Sequence, residues 1–243
     1  MSPSELERYE RQILISGWGP KGQRRLKATR VAVVGVGGLG CSASIYLASL
    51  GIGKMTLIDK GKFELSNLNR QILGWKDDVG RHKAEVAREK LAALNPEVQV
   101  DAVVSEIDGQ NVCSLISDAD IVVDGQDNWR TRFILNEHCV THKKPFIHAG
   151  VFALRGQITT ILPGKGPCLR CVFPKDPFET ERVPVLGATP ALLASLQVLE
   201  VAKIVVGIGK SLAGRILFVS GEDMVFEVVK IERNHDCPVC REV

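Results

Sequence analysis

The sequence RVAVVGVGGLG, residues 30–40, passes from a short apolar run directly into a group of glycines. A helical pattern follows over residues 39–50, and Gly51 is placed to end that helix. A second short apolar segment, residues 55–58, ends at Asp59. This order of strand, glycine loop, helix and strand is typical of the beginning of a Rossmann-like, doubly wound α/β sheet.

The chain beyond residue 59 continues this alternation. The pattern predicts a helix over 83–94 that stops before Pro96, and a later helix over 131–142. Short apolar segments at about 98–104, 121–123 and 145–148 are predicted to be strands. At the N-terminus, Ser4 and Glu7 have capping-box spacing, which predicts a short helix running toward Arg11.

The segments after residue 150 favour antiparallel pairing. Predicted strands at 157–162, 215–219 and 225–229 are joined by short links. Thr189 and Pro190 suit the N-cap and first residue of a helix that extends to about residue 206. We therefore predict one domain with a mixed sheet, parallel in its N-terminal half and antiparallel in its C-terminal half.

The composition excludes several classes of function. A hydrophobic share of 45% and a charged share of 24% are ordinary for a globular protein, and a net charge of +3 gives no argument for nucleic acid or an anionic membrane. The N-terminus is polar, without the apolar core of a signal peptide, and polar residues interrupt the apolar stretch 192–208. We expect a cytoplasmic protein with reduced thiols.

The glycine loop predicts a nucleotide site. Gly35, Gly37 and Gly40 form GxGxxG between a strand and a helix, where backbone N–H groups can approach phosphate closely. Asp59 follows about 20 residues later, where a carboxylate can accept hydrogen bonds from ribose hydroxyls. Taken alone, this pattern favours NAD at least as much as ATP.

Charged residues beyond the second strand favour a triphosphate. Arg70, in SNLNRQ, is a cation suited to phosphate oxygens, and Lys83 is placed to supply a second charge. Asp127 follows another buried strand and should reach the same sheet edge, where a carboxylate and phosphate oxygens can hold Mg²⁺. Two cations and an acid suit attack at phosphorus and have no role in hydride transfer.

Four of the seven cysteines form two CxxC pairs, Cys168/Cys171 and Cys237/Cys240. Two such half-sites predict a closed, tetrahedral Cys₄ zinc site with a structural role. His138 and His142 share a helix face, but no third ligand is apparent in the sequence, so we assign them no role.

The motifs GVGGLG, SNLNRQ, VGRHKAE and DGQDNWRTR, with Asp59 and the two CxxC pairs, occur in the order seen in the ThiF/MoeB/HesA family. These are relatives of ubiquitin-activating enzymes, and the similarity covers essentially the whole chain. The chain looks most similar to the molybdopterin-synthase adenylyltransferase branch. The resemblance implies one adenylation domain over residues 1–243, with a nucleotide-binding core at about 28–150. The remainder, about 151–243, would hold the crossing loop, the zinc site and the surface that docks the carrier protein. The stretch 163–190 is rich in proline and has little periodicity, which predicts that it is the exposed crossing loop.

The resemblance also implies roles for individual residues. Arg11 resembles an arginine that crosses a dimer interface to the partner's triphosphate, which implies a homodimer. Gly61 departs from the family, which often has a second acid at that position. Asp127 would hold Mg²⁺, with Asn128 beside it. The implied ATP contacts are Gly38, Asp59, Ser66, Asn67, Leu68, Asn69, Arg70 and Lys83.

The implied activity is adenylation of the C-terminal glycine carboxylate of a ubiquitin-like sulfur carrier ending in Gly-Gly, with release of pyrophosphate. No cysteine occurs between Cys171 and Cys237, so we expect no covalent enzyme–carrier thioester, and we expect a separate sulfur donor in trans. An NAD-dependent oxidoreductase and a non-catalytic, zinc-containing interaction protein are the alternatives. The motifs do not distinguish molybdopterin, thiamine and other sulfur pathways.

Overall fold

The computed structural model describes residues 1–178 and 183–242. The helices are α1 (Pro3–Arg8), α2 (Glu10–Ile13), α3 (Gly19–Ala28), α4 (Gly38–Leu50), α5 (Lys83–Leu94), α6 (Val112–Ile116), α7 (Trp129–Thr141), α8 (Leu169–Val172) and α9 (Ala188–Val206). The strands are β1 (Arg30–Val34), β2 (Lys54–Ile58), β3 (Gln99–Val103), β4 (Ile121–Asp124), β5 (Phe146–Phe152), β6 (Arg155–Ile161), β7 (Arg215–Ser220) and β8 (Val225–Lys230).

Within these residues the strands form one mixed sheet in the order β3-β2-β1-β4-β5-β6-β7-β8. Pairing is parallel from β3 to β5 and antiparallel from β5 to β8. This confirms the predicted mixed sheet. The strand order reverses between β1 and β4, and a doubly wound sheet binds its ligand in the crevice at such a reversal.

Helices α4 and α9 pack together on one face of the sheet. Helix α9 is long and apolar enough to cross a membrane by length and composition alone, but it is a core helix here. Gln197, a residue of α9, is fully buried. Its side-chain amide donates to the carbonyl oxygens of Asp124 (2.9 Å) and Ile147 (3.0 Å). These two bonds tie α9 to the end of β4 and to the start of β5, beside the strand-order reversal.

Some predicted boundaries agree closely with the structure. Helix α5 begins at Lys83 and ends at Leu94, as expected. Gly51 ends α4 with a φ of +84°, a left-handed conformation that glycine adopts without steric penalty.

The expected capping box at Ser4 and Glu7 is wrong by two residues. Ser2 is the N-cap: its hydroxyl accepts from the N–H of Glu5 (3.2 Å), and its own N–H donates to Oε2 of Glu5 (2.6 Å). Pro3, which follows Ser2, suits the first helical position because it lacks an N–H and has its φ already set. Helices α3, α6 and α8 were not predicted; α8 lies within the stretch 163–190 that we expected to be an irregular crossing loop.

Candidate functional site

The glycine loop joins β1 to α4 at the strand-order reversal. Gly35 has a φ of +95°, and a Cβ there would lie 2.5 Å from the carbonyl oxygen of Gly125. A Cβ on Gly40 would lie 1.8 Å from the carbonyl oxygen of Gly35. Only glycine therefore permits this close approach of the loop, the start of α4 and the end of β4. The N-terminus of α4 then faces the crevice, as a phosphate-binding helix does.

Asp59 follows the end of β2 and is hydrogen-bonded to the glycine loop. Its Oδ2 accepts from the N–H of Val36 (2.7 Å), and its Oδ1 accepts from the N–H of Gly61 (2.6 Å). Each carboxylate oxygen keeps a further lone pair, so both can still accept hydrogen bonds from ribose hydroxyls. The carboxylate is thus held rigidly at the position that the sequence predicts.

Lys83 lies next to Asp59. A Cβ built on Gly61 would lie 3.0 Å from Oδ1 of Asp59 and 3.5 Å from Nζ of Lys83. The N–H of Lys83 donates to the carbonyl oxygen of Gly61 (3.0 Å), which closes the loop between β2 and α5. With Gly61 at this position, the Lys83 ammonium keeps room beside the Asp59 carboxylate.

Arg70 is positioned by its own segment. Its Nη1 donates to the carbonyl oxygen of Ser66 (2.9 Å) and to Oδ1 of Asn69 (3.1 Å). In the part of the chain that the structure describes, the side-chain bonds of Arg70 use only Nη1, so its Nε and Nη2 protons are available to an anion. Asn67 is buried, and its Oδ1 accepts from the N–H of Glu64 (3.2 Å), so this side chain shapes the turn. Leu68 follows at the end of the same 3₁₀ turn.

The start of α9 packs against both the glycine loop and the Arg70 segment. A Cβ on Gly38 would lie 3.1 Å from Cγ of Pro190 and 3.6 Å from Cγ of Arg70. A Cβ on Gly187 would lie 2.2 Å from the carbonyl oxygen of Asn69. The structure therefore brings Gly38 and Arg70 together, and α9 holds Arg70 over the loop.

Asp127 and Asn128 follow β4, the strand beside β1. Asp127 is exposed, and within residues 1–178 and 183–242 its carboxylate makes no hydrogen bond or ion pair, so its oxygens are available to a cation. Asn128 is the N-cap of α7, because its Oδ1 accepts from the N–H of Thr131 (2.8 Å). In this structure the side chain of Asn128 therefore serves to cap α7.

A buried polar network lies directly behind Asp127, and sequence reasoning missed it. The Oδ2 atom of Asp124 accepts from Nδ1 of His148 (2.7 Å) and from Nε of Arg132 (3.2 Å). Arg132 also donates through Nη2 to the carbonyl oxygen of Gln126 (2.5 Å). The network therefore fixes the backbone of the loop that presents Asp127.

The charge state of this network follows from burial. His148 is fully buried, and burial lowers the pKa of its imidazole although the neighbouring Asp124 opposes that shift. The ring is therefore neutral at neutral pH, and it donates its Nδ1 proton to the carboxylate. Asp124 and Arg132 are left as a buried ion pair. The sequence signal for this ion pair is the motif DGQDNWRTR, whose first acid is Asp124 and whose last arginine is Arg132.

Arg11 is exposed on α2 and does not reach the crevice of its own chain. Gln12, the next residue, donates to the carbonyl oxygen of Leu50 (2.9 Å) at the far end of α4. Helix α4 has 13 residues, so its ends are about 20 Å apart. The glycine loop lies at the opposite end of that helix.

The four CxxC cysteines come together, as predicted. The Sγ–Sγ distances are 3.9 Å for Cys168–Cys171, 3.6 Å for Cys168–Cys237 and 3.4 Å for Cys171–Cys240. Four sulfurs around a tetrahedral zinc, each about 2.3 Å from it, lie about 3.8 Å apart. The sulfurs therefore fit zinc closely. Cys41 is instead fully buried, and burial raises the pKa of its thiol to about 12, so it is an unreactive core residue.

Comparison with known proteins gives a consistent result. The model of the ThiF family matches residues 9–239. The chain is 42% identical to the SAMP-activating enzyme E1 of Haloferax volcanii, over 100% of this chain and 91% of that protein. It is 39% identical to the sulfur carrier protein adenylyltransferase of Thermus thermophilus, over 97% of this chain and 91% of that protein. Among solved structures, that of Escherichia coli MccB with ATP has a TM-score of 0.84 at 26% identity, over 96% of this chain and 74% of that one.

Proposed function

The chain belongs to the ThiF family, and from this premise we propose that it uses ATP to adenylate the C-terminal glycine carboxylate of a small ubiquitin-like sulfur carrier. One observation carries the proposal: a single crevice combines the glycine-loop end of α4, the carboxylate of Asp59 and the cations Arg70 and Lys83. Relatives named as a sulfur carrier adenylyltransferase and a SAMP-activating enzyme favour this activity over an NAD-dependent oxidoreductase or a zinc-containing interaction protein.

The chemistry needs no general base. The carrier's terminal carboxylate is ionised at neutral pH, so it can attack the α-phosphorus directly. A carboxylate oxygen forms the new P–O bond, and the bond from the α-phosphorus to the bridging oxygen breaks, releasing pyrophosphate. The product is an acyl-adenylate. Catalysis is then positioning and charge neutralisation, in which Arg70 and Lys83 bind phosphate oxygens as negative charge moves to the leaving group.

Asp127 is our proposed protein ligand for Mg²⁺. It is exposed at the end of β4, and the buried ion pair behind it holds its loop in place. Magnesium is usually held by one or two carboxylates with substrate phosphates and water, so one free carboxylate beside a triphosphate suffices. When bound there, the ion neutralises phosphate charge.

The four cysteines are proposed to hold a structural zinc ion. Cys168 and Cys171 lie at the start of the crossing stretch 163–190, whereas Cys237 and Cys240 lie in the C-terminal tail. The zinc would join these two segments and stabilise the fold without taking part in the reaction. A closed four-sulfur shell leaves no ligand position for a catalytic water.

A homodimer is proposed on the position of Arg11. Its neighbour Gln12 bonds to the far end of α4, about 20 Å from the glycine loop of the same chain, so we propose that Arg11 acts on the triphosphate of a second copy. Apolar side chains beside it are exposed: Leu14 is 71% exposed and Ile15 is 47% exposed. An interface formed by this surface would cover them.

The carrier is proposed to dock on β8, on the face of the sheet that carries α9. Phe226 pairs with Val219, which pairs with Gly156, and a Cβ on Gly156 would lie 2.6 Å from Leu193 of α9. Phe226 therefore lies on the α9 face, where it is 49% exposed. Strand β8 begins at the same end of the sheet as the carboxyl ends of the parallel strands, where the nucleotide crevice lies. A carrier bound to β8 can therefore extend its tail to the α-phosphate.

The crossing stretch 163–190 is the second part of this proposed surface, and residues 179–182 lie outside the described residues. Its start is anchored by Phe173, whose ring lies 4.7 Å from that of Trp129. Its end pairs with the β5–β6 turn, where the N–H of Ala153 donates to the carbonyl oxygen of Pro184 (2.6 Å). The described residues at its start therefore lie on the Asp127 side of the crevice, and those at its end lie on the Arg70 side.

The sulfur that replaces AMP is proposed to come from a separate protein, and the enzyme is proposed to act in the cytoplasm without a covalent bond to the carrier. The absence of a covalent bond is supported by the sequence between Cys171 and Cys237, which contains no cysteine. Mass spectrometry of denatured, non-reduced reaction mixtures tests this: a covalent enzyme–carrier adduct that reductant removes would contradict it.

Carrier-dependent exchange of labelled pyrophosphate into ATP tests the function. We expect exchange with a purified carrier ending in Gly-Gly and none with the same carrier lacking its last glycine. Several carriers from molybdopterin, thiamine and other sulfur pathways should be compared to identify the partner. Absence of exchange with every Gly-Gly carrier, by protein that binds ATP, would overturn the proposal.

A further inference from the structure

A second group of metal-binding side chains lies on α6 and at the end of α7. Cys113, His138 and His142 each offer one ligand atom, and these atoms all lie within 4.8 Å of one another. The group is remote from the nucleotide crevice, because α7 begins beside Asp127 and runs for 13 residues, about 20 Å, before it reaches His142. Neither the crevice nor the Cys₄ group includes any of these three residues.

The tautomer of His142 is set by its surroundings. Its Nδ1 lies 2.9 Å from the carbonyl oxygen of His138, and a carbonyl oxygen can only accept, so Nδ1 carries the proton. The Nε2 atom of this ring therefore has a free lone pair. Metal-bound histidines commonly donate their other ring nitrogen to a carbonyl or carboxylate in this way.

His138 has a buried nitrogen without a partner. The residue is 8% exposed, and its Nε2 has no hydrogen-bond partner within residues 1–178 and 183–242. Buried polar atoms are nearly always satisfied, because an unsatisfied one loses its bond to water without a replacement. A metal ion in this group would satisfy it. The rings of His138 and His142 are stacked with centroids 3.9 Å apart, so one imidazole must rotate about its side-chain bonds before both can bind the same ion.

Cys113 completes the set from a neighbouring helix. It is exposed on α6, a helix that packs against α7. One thiolate and two imidazoles are typical ligands of zinc, and three protein ligands leave a fourth tetrahedral position for water or another small ligand. Since Cys113 and His142 are both exposed, that fourth position faces solvent.

From this geometry we propose that Cys113, His138 and His142 form a second zinc site, open to solvent and independent of the Cys₄ site. The sequence could not indicate it, because Cys113 is separated from the two histidines by β4 and most of α7. The ion would join α6 to the C-terminal end of α7.

Native mass spectrometry of the full chain equilibrated with zinc acetate tests the proposal. We expect two zinc ions on the unmodified chain and on Ser114→Ala, a control at an exposed neighbour on α6. The variants Cys113→Ser and His142→Gln, both at exposed positions that should fold, should keep one zinc, with affinity for the second lowered more than about 100-fold. One zinc on the unmodified chain, or two on Cys113→Ser, would overturn the proposal.

Alkylation gives an independent readout in the same protein. Cys113 is exposed and should react readily with iodoacetamide when no zinc is added beyond that in the Cys₄ site. Added zinc should slow its alkylation at least tenfold, measured on the tryptic peptide, and His142→Gln should abolish this protection. Equal rates with and without added zinc would contradict the site.

Discussion

The two halves of the sheet differ in what they expose. In the parallel half, β1 is buried after Arg30 and β4 is buried throughout, and Asp59 and the loop that carries Asp127 follow the ends of β2 and β4. In the antiparallel half, every residue of β8 is exposed. The proposed division of roles rests on this difference: we propose that the parallel half positions ATP and that the antiparallel half offers a surface to the carrier.

Zinc removal should have the largest effect, because the Cys₄ site joins segments of the C-terminal half. Chelation, or Cys237→Ser, should lower the Tm by about 10 °C or more, since zinc binding contributes directly to folding. Calorimetry measures this, and Ser114→Ala is the control. The ATP affinity of the remaining folded protein should change little; a large rise in its Kd with the fold intact would contradict a purely structural zinc.

Asp124→Asn should reduce the free energy of unfolding by about 3–5 kcal/mol, because it leaves Arg132 buried without a counter-ion. Denaturant unfolding measures the loss. Asp118→Asn, at an exposed position, is the control and should have almost no effect. If the two variants are equally stable, the buried network does not hold the Asp127 loop.

Arg70→Gln should lower the rate of acyl-adenylate formation about 100- to 1000-fold, the loss typical of removing one preorganised charge that stabilises a transition state. Single-turnover measurements should show this with carrier affinity unchanged. Arg88→Gln, on the exposed surface of α5, should retain the full rate. A full rate in Arg70→Gln would contradict the electrostatic role of Arg70.

Phe226→Asp should have the smallest effect, raising the KM for the carrier about tenfold while the KM for ATP stays constant. Val104→Lys, an exposed apolar position at the opposite edge of the sheet, is the matched control. An equal response of the two variants would show that β8 has no special part in docking.

Sequence reasoning placed several landmarks of the parallel half accurately. Local chemistry determines its landmarks: Gly51 adopts the left-handed conformation that ends α4, and the glycine loop and Asp59 lie where the motif places them. The N-terminal capping box was misplaced because both Ser2 and Ser4 have an acid three residues later, and only Pro3 favours the first.

What the sequence did not reveal depends on contacts between distant elements. The bonds of Asp124 to Arg132 and His148 join β4, α7 and β5, and no spacing rule predicts them. The same holds for Cys113, which meets His138 and His142 only because α6 packs on α7. Paired CxxC motifs are the exception, because their spacing itself indicates a metal.

Transfer of label from ATP to the carrier tests the central claim most directly. With ATP labelled at the α-phosphate, the carrier should gain one AMP group at its C-terminal glycine, at a rate that falls at least 100-fold in Arg70→Gln. With ATP labelled at the γ-phosphate, the carrier should stay unlabelled. Label arriving from the γ-phosphate, or an unchanged rate in Arg70→Gln, would contradict carboxylate attack at an α-phosphate held by these cations.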